Sequence, residues 1–312
     1  MSLEPGLPNL EIFSQTLIEL AQTDQNIIVV TSDSRGSGKL VPFGEKFPQQ
    51  IVEVGVAEQN LVGMAAGLAS TGKKVFAVSP ACFLTARALE QIKNDVAYSD
   101  NPVKLIGISA GVSYGALGST HHSLHDLAAL RAIHNLQIIV PADNFETRSA
   151  IYAATEMDHP VYIRFGKRAQ FHLHSAKTTF TPGKALTITS GNDIAFIACG
   201  ETVYYALLAA LELEKAGLSC QVVSMHTIKP LDTDTLLAAA TRCGVLITVE
   251  EHSVHSGLGE ACAGAILQAG IPVRFRIVGI PDEDTVTGSQ SEIFTHYGIS
   301  AEGLVEIAQK LL

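Results

Sequence analysis

The chain has 312 residues, 47% of them hydrophobic, and a formal net charge of −10. Its length predicts two domains, and its apolar content is enough for a large buried core, which excludes a disordered chain. The acidic balance without any Lys/Arg-rich run argues against a nucleic-acid surface, and the lack of a long apolar run argues against a membrane span. The first ten residues do not resemble a secretory signal.

The five cysteines indicate the compartment. They are odd in number, widely spaced and mostly within apolar segments: Cys82, Cys199, Cys220, Cys243 and Cys262. This distribution favours buried thiols over disulfides or a zinc site. We therefore expect a reducing, cytoplasmic location.

Apolar, β-branched runs alternate with amphipathic stretches in the first half of the chain. Continuous apolar strands joined by helices predict a parallel sheet that is covered on both faces. The predicted strands are residues 26–33, 51–55, 74–79, 103–109, 137–141 and 161–165, and the predicted helices are residues 57–71, 83–98, 124–134 and 145–157.

A polar segment ending in Pro182 and Gly183 interrupts this alternation and predicts a linker. A second alternating set follows, so the fold class is α/β with two doubly wound domains. We place the domains at residues 1–170 and 186–312, with the linker at 171–185. The predicted strands of the second domain are residues 193–199, 220–225, 245–250 and 273–278, and its helices are residues 202–216, 232–242, 259–268 and 301–312.

Glu58 lies on an otherwise apolar helix face, with Leu61 and Val62 as neighbours. A carboxylate that faces a packed interior is strongly unfavourable unless it is protonated or paired. Periodicity alone leaves open a second interpretation, in which Glu58 turns to solvent in the first helical turn. Gly63 and Gly67 on the same helix would permit close approach of another backbone.

The run FPQQIVEVGVAEQNLVGMAAGLASTGKKVFAV around Glu58 resembles the pyrimidine-binding domain of the transketolase family. The resemblance implies thiamine diphosphate as cofactor and places Glu58 at the family's catalytic glutamate. That residue shares a proton with N1' of the aminopyrimidine and so activates the cofactor's C2–H. The next run, SPACFLTARALEQIKNDVAYS, aligns Phe83 with an aromatic residue that stacks on the aminopyrimidine. Core packing is the alternative for Phe83.

The stretch G-A-L-G-S-T-H-H resembles the family's T-H-Q loop. By that match His121 faces the substrate oxygens and assists proton transfer, while His125 lies at the surface or behind the site. Leu117 replaces the family's aspartate, and Ser109 replaces a histidine. These departures leave the ketose and aldose phosphates open, including an unusual pentulose phosphate such as a branched sugar.

Arg164, in the stretch Y-I-R-F-G, matches a family arginine that holds the sugar phosphate. A planar guanidinium suits two-point binding of phosphate. The alternative is an exposed arginine on a strand. The segments D-I-A-F-I-A-C-G, M-H-T-I-K-P-L-D and T-V-E-E-H-S are similar to the transketolase C-terminal domain.

The family's diphosphate-binding motif is missing from this sequence. Transketolases hold the diphosphate and a divalent metal such as Mg²⁺ through Gly-Asp-Gly and a later Asn, but no Gly-Asp pair occurs here. The resemblance therefore implies a partner, an N-terminal (alpha) transketolase subunit that carries this motif and holds the metal. We expect self-association within an α2β2 assembly and no metal ligands from this chain.

The sequence thus predicts the beta subunit of a split transketolase, which transfers a two-carbon ketol unit from a ketose phosphate to an aldose phosphate. One alternative is a 2-oxo-acid dehydrogenase β-type subunit, whose glutamate typically lies in P-I-x-E-x-G-F, unlike A-E-Q-N-L here. Another is a fragment similar to deoxyxylulose-phosphate synthase, which shares A-E-Q. A regulatory, non-enzymatic subunit is a third, and the retained Glu58, Phe83, His121 and Arg164 weigh against it.

Overall fold

A computed structural model describes residues 3–175 and 178–312, so Ala176 and Lys177 of the predicted linker lie outside the described residues. Two mainly parallel sheets, each packed against helices, confirm the predicted α/β class. The strands are β1 (Pro5–Pro8), β2 (Ile27–Thr31), β3 (Ile51–Glu53), β4 (Lys74–Pro80), β5 (Lys104–Ile108), β6 (Gln137–Ile139), β7 (Val161–Arg164), β8 (Ala169–Phe171), β9 (Leu186–Thr189), β10 (Ile194–Ala198), β11 (Cys220–Ser224), β12 (Thr227–Lys229), β13 (Val245–Ser253) and β14 (Arg274–Ile280).

Most of the helices fall where the apolar periodicity predicts them, but those at residues 9–21, 41–46 and 290–296 were not predicted. Residues Ile92–Tyr98 continue α5 as a π-helix, and Gly115–Leu117 form a 3₁₀ turn. The α-helices are α1 (Asn9–Ala21), α2 (Val41–Lys46), α3 (Glu58–Ser70), α4 (Ala81–Arg87), α5 (Leu89–Gln91), α6 (Asp126–Arg131), α7 (Asn144–Thr155), α8 (Thr202–Lys215), α9 (Thr233–Arg242), α10 (Leu258–Gln268), α11 (Gln290–His296) and α12 (Ala301–Leu311).

The first sheet has the strand order β12-β6-β7-β5-β4-β2-β3, and its six strands from the first half of the chain are parallel. Its central strands are buried on both faces, as their continuous apolar sequences require. The carboxyl ends of β3, β4 and β5 lead directly into α3, α4 and the loop that carries His121. This edge is where ligands bind in doubly wound sheets.

The seventh strand of that sheet belongs to the second half of the chain. In β12, Thr227 pairs with Ile139 and Lys229 with Ile138, antiparallel to β6. The Lys229 ammonium also donates to the carbonyl of Arg131 at 3.1 Å. One strand of the second domain thus closes an edge that would otherwise expose unpaired backbone groups.

The second sheet has the order β14-β13-β10-β11-β9, with β9 antiparallel to β11 and the other pairs parallel. A continuous apolar cluster includes Leu105 and Tyr162 of the first domain and Leu246 and Leu258 of the second. Because this core is shared, the two domains are packed against each other as one unit.

Candidate active site

Glu58 is the first residue of α3, which follows a turn at Gly55 with φ of +73°. Its side chain is only 3% exposed, and it borders an open groove that is also lined by Gln59, Asn60 and Arg87. Both carboxylate oxygens lie 3.0 Å from Nη1 of Arg87. The side chain is therefore buried and paired, and it does not turn to solvent. Pairing is what a buried carboxylate requires.

Phe83 and Arg87 lie one turn apart on α4, so their side chains share a helix face. The Arg87 guanidinium carbon lies 4.2 Å from the centroid of the half-buried Phe83 ring. Arg87 is thus held by the Glu58 carboxylate and by a cation–π contact. Sequence reasoning missed Arg87 as a site residue, although its i+4 spacing from Phe83 was a usable signal.

His121 lies in the loop between β5 and α6. Its ring centroid is 5.3 Å from that of Phe83 and 5.3 Å from that of Tyr114, both edge to face. Thr120 Oγ1 lies 2.9 Å from His121 Nδ1. The structure therefore brings the three predicted residues Glu58, Phe83 and His121 together. We call the continuous series Glu58, Arg87, Phe83, His121 and Tyr114 the active-site row.

The loop that presents His121 is closed by its own polar contacts. An antiparallel bridge joins Gly111 and Ser123, and the buried His122 lies with Nε2 2.9 Å from the Gly115 carbonyl oxygen. Burial lowers the pKa of His122, which favours the neutral imidazole with Nε2–H as the donor. His125 is exposed, with Nε2 3.4 Å from Thr85 Oγ1, so it lies outside the row.

The two departures from the family pattern lie on this same loop. Ser109 is fully buried and has φ of +53°, a left-handed conformation that is strained for serine. Leu117 is 55% exposed in the 3₁₀ turn. Neither side chain supplies a charge, so the carboxylate and the imidazole that the family has at these positions are absent here.

Arg164 does not join the active-site row. It ends β7 beneath the second domain, where Nη1 donates to Asp126 Oδ1 and Nη2 to the Glu251 carbonyl, both at 2.7 Å. Tyr162 donates to the other Asp126 oxygen at 2.7 Å. Burial opposes ionisation of Asp126, but the charge of Arg164 and the hydrogen bond from Tyr162 act against it, and the pKa of Asp126 lies below its usual value. The phosphate contact of Arg164 stays a prediction.

Two glutamates of the second domain complete this buried group. Gln290 Nε2 donates to Glu201 Oε2 at 2.9 Å and to Glu251 Oε1 at 2.8 Å. Glycine makes room for them in the first domain, because a Cβ on Gly111 or Gly166 would overlap the carboxyl group of Glu251 or Glu201. We call the set Asp126, Tyr162, Arg164, Glu201, Glu251 and Gln290 the interdomain network.

His252 lies beside this network. Its Nε2 lies 3.4 Å from the Ala128 amide, and its Nδ1 lies 2.8 Å from the Ser253 carbonyl oxygen. Burial lowers the pKa of His252 to about 4, so the ring is neutral at physiological pH. It therefore accepts at Nε2 and donates from Nδ1.

Within the described residues, no group of three or more His, Cys, Asp or Glu side chains is placed to hold a metal. All five cysteines are buried free thiols, as predicted from their apolar surroundings. Over the same part of the chain, every helix is too short or too polar to cross a membrane.

The first domain, which carries the active-site row at the carboxyl ends of its strands, is joined to a second α/β domain. Residues 7–170 match the family model for the transketolase pyrimidine-binding domain, and residues 183–304 match that for the transketolase C-terminal domain. The chain therefore belongs to the transketolase family.

Similar proteins match this chain over nearly its whole length, and so over both domains. A subunit of apulose-4-phosphate transketolase from Phocaeicola vulgatus is 47% identical over 95% of each chain. The subunit of the same name from Actinobacillus succinogenes is 38% identical over 100% of each. Among solved structures, a split gene transketolase described as an inactive beta4 tetramer has a TM-score of 0.90 and 35% identity, covering 98% of this chain and 99% of that one.

Proposed function

We propose that this chain is the beta subunit of a split transketolase and that its active-site row forms the pyrimidine side of the catalytic centre. The observation that carries the proposal is the buried Glu58 carboxylate, which Arg87 links to the half-buried Phe83 ring, with His121 next in line. In a transketolase-family chain, these are the positions that a thiamine cofactor requires.

The groove beside Glu58 fits an aminopyrimidine by the chemistry of its lining. Glu58 and Arg87 both line it, and the guanidinium of Arg87 lies on the Phe83 ring. Thiamine diphosphate, when bound, supplies the carbon that carries the two-carbon unit. Glu58 then holds a proton at N1' of the pyrimidine. Because the Glu58 side chain is buried, water has little access to that proton.

The remaining residues of the row position and complete the site. Arg87 orients the Glu58 carboxylate through its contact with both oxygens. Phe83 supports the pyrimidine ring, and His121 exchanges a proton with a substrate oxygen. The assignment of Arg164 to the sugar phosphate rests on the sequence alone. In the structure, its guanidinium already has a carboxylate and a carbonyl oxygen as partners.

The diphosphate and its divalent metal, such as Mg²⁺, belong on an alpha subunit in this proposal. Relatives of the same length are described as a single subunit of a transketolase, and the similar beta4 tetramer is described as inactive. The surface of α3 and of the turn before it suits an α2β2 interface, because a Cβ on Gly67 would meet no atom within 4 Å, while Val56 in the turn and Met64 on the helix are exposed. Five buried free thiols suit a reducing cytoplasm.

Apulose 4-phosphate is the donor that we propose. The relative at 47% identity is named for this sugar phosphate, and the family's usual polar side chains are replaced at Ser109 and Leu117. An uncharged loop fits a sugar that presents its hydroxyl groups differently from those of an unbranched pentulose.

The test is reconstitution with an alpha subunit that carries Gly-Asp-Gly and the later Asn. The complex, thiamine diphosphate, Mg²⁺ and an aldose phosphate are combined with apulose 4-phosphate or with xylulose 5-phosphate, and ketol transfer is measured. We expect transfer only when both chains are present, and faster transfer from apulose 4-phosphate. Turnover by the isolated chain would refute the divided site, and a clear preference for xylulose 5-phosphate would refute the donor.

A further inference from the structure

The proposed reaction uses phosphorylated sugars, so their phosphate needs a cation near His121. Arg164 is poorly placed for this, because its side chain is 5% exposed and it bonds to Asp126 and to the Glu251 carbonyl. Drawing the guanidinium out of that network would leave a buried aspartate unpaired, which is strongly unfavourable. Another cation is therefore needed at the open edge of the sheet.

Lys167 stands three residues after Arg164, in the loop that leaves β7. It is exposed, and its Nζ lies 3.9 Å from the centroid of the Tyr114 ring. The Tyr114 ring in turn lies 5.3 Å from the His121 ring. Lys167 thus extends the active-site row at the end opposite Glu58, where the distal part of a sugar substrate would lie.

The pairing of Lys167 differs from that of the neighbouring cations. In the part of the chain that the structure describes, its ammonium is held by an aromatic face and has no carboxylate partner. Arg168, the next residue, donates to the Tyr205 hydroxyl of the second domain at 2.7 Å. A cation that is positioned by a ring but not neutralised keeps its charge available for an anion.

We propose that Lys167 binds the phosphate group of the sugar substrate and that the Tyr114 ring positions it. This rests on the proposed function, because it assigns a subsite of the same reaction. An ammonium suits the role as a compact point charge with three donors. The sequence match had assigned the phosphate to Arg164, whereas the geometry points to the lysine in the following loop.

The first experiment measures binding of ribose 5-phosphate and of ribose to the full chain by NMR titration. We expect the wild-type chain to bind ribose 5-phosphate roughly 10- to 100-fold more tightly than ribose, as one charge-assisted contact would give. Lys167→Met should abolish this preference, and Lys167→Arg should retain most of it. Lys184→Met, which removes an exposed lysine paired with Asp234, is the matched control and should leave the preference unchanged.

Two results would overturn the assignment: a wild-type chain that shows no preference for the phosphorylated sugar, or a Lys167→Met chain that keeps the wild-type preference. In the reconstituted complex, the same variant should raise KM for the sugar phosphate with little change in kcat. If the wild-type complex transfers no ketol unit while the chain still prefers ribose 5-phosphate, the proposed function fails and the phosphate site stands.

Discussion

Two groups of charged side chains lie at the carboxyl ends of strands in one sheet, and they differ in what covers them. The active-site row follows β3, β4 and β5 and borders an open groove, whereas the interdomain network surrounds the end of β7 beneath the second domain. In the row, the one ion pair, Glu58 with Arg87, borders the open groove, and Arg87 also contacts the Phe83 ring. In the network, they meet each other and the backbone. A charge at a ligand-binding edge is therefore available to a ligand only if no neighbouring domain has already paired it.

Glu58→Gln, in the active-site row, should have the largest effect of these substitutions. Turnover of the reconstituted complex should fall by about 10²- to 10⁴-fold, because the amide cannot exchange a proton with N1'. Folding should be nearly unchanged, since the partner Arg87 is about half exposed and can be solvated. The measurement is C2 hydrogen–deuterium exchange of thiamine diphosphate in the complex.

The control for that experiment is Glu45→Gln, which alters an exposed glutamate on α2. It should exchange the C2 hydrogen at the wild-type rate. Wild-type exchange in Glu58→Gln as well would show that another residue activates the cofactor.

Arg164→Met tests the interdomain network. It leaves Asp126 buried without its cation, so the free energy of unfolding should fall by about 3–5 kcal/mol. Lys167→Met, on the exposed loop, should change it by less than about 0.5 kcal/mol. Urea unfolding of both variants gives the comparison. If Arg164→Met folds normally and only raises KM for the sugar phosphate, the sequence-based assignment of Arg164 is correct after all.

The interdomain network should also make stability depend on pH through Glu201. Burial, followed by the neighbouring Glu251 carboxylate, raises the pKa of Glu201 from 4.5 to about 8. Between those values the folded chain binds more protons than the unfolded chain, so this group lowers stability as pH rises through the window and adds no further change above it.

Glu201→Gln removes that titration. Relative to wild type, the variant should gain roughly 2–4 kcal/mol of unfolding free energy between pH 5 and pH 8. Urea unfolding at both pH values measures the gain, with the exposed Glu302→Gln on α12 as control. A difference between variant and wild type that stays constant with pH would contradict the burial argument.

The smallest effect is expected for His125→Ala. His125 is exposed and has only a 3.4 Å contact with Thr85, so stability should change by less than about 0.5 kcal/mol. Turnover should stay within about twofold of wild type, while His121→Ala should lose about 10²-fold or more. Steady-state kinetics of the two alanine variants make the comparison, and equal losses would mean that His125 also takes part in the reaction.

Local sequence predicted much of the fold because continuous apolar strands and amphipathic helices can be read from a few neighbouring residues. The strand predicted at 74–79 is observed as Lys74–Pro80, and the helix predicted at 57–71 as Glu58–Ser70. The prediction for 83–98 was less accurate, because α4 ends at Arg87 and the chain continues through a π-helix. The strand β12 was missed, since its residues Thr227–Lys229 form no continuous apolar run.

By itself the sequence determined the α/β class, the family and the presence of a carboxylate on an apolar helix face, because these depend on residue type and spacing. Only the tertiary structure decided which charges are free. It paired Glu58 with Arg87, buried Arg164 against Asp126 and placed Lys167 over Tyr114. Those outcomes depend on partners 29 to 53 residues away in the chain and on the covering domain, and no local pattern encodes the resulting balance between desolvation and pairing.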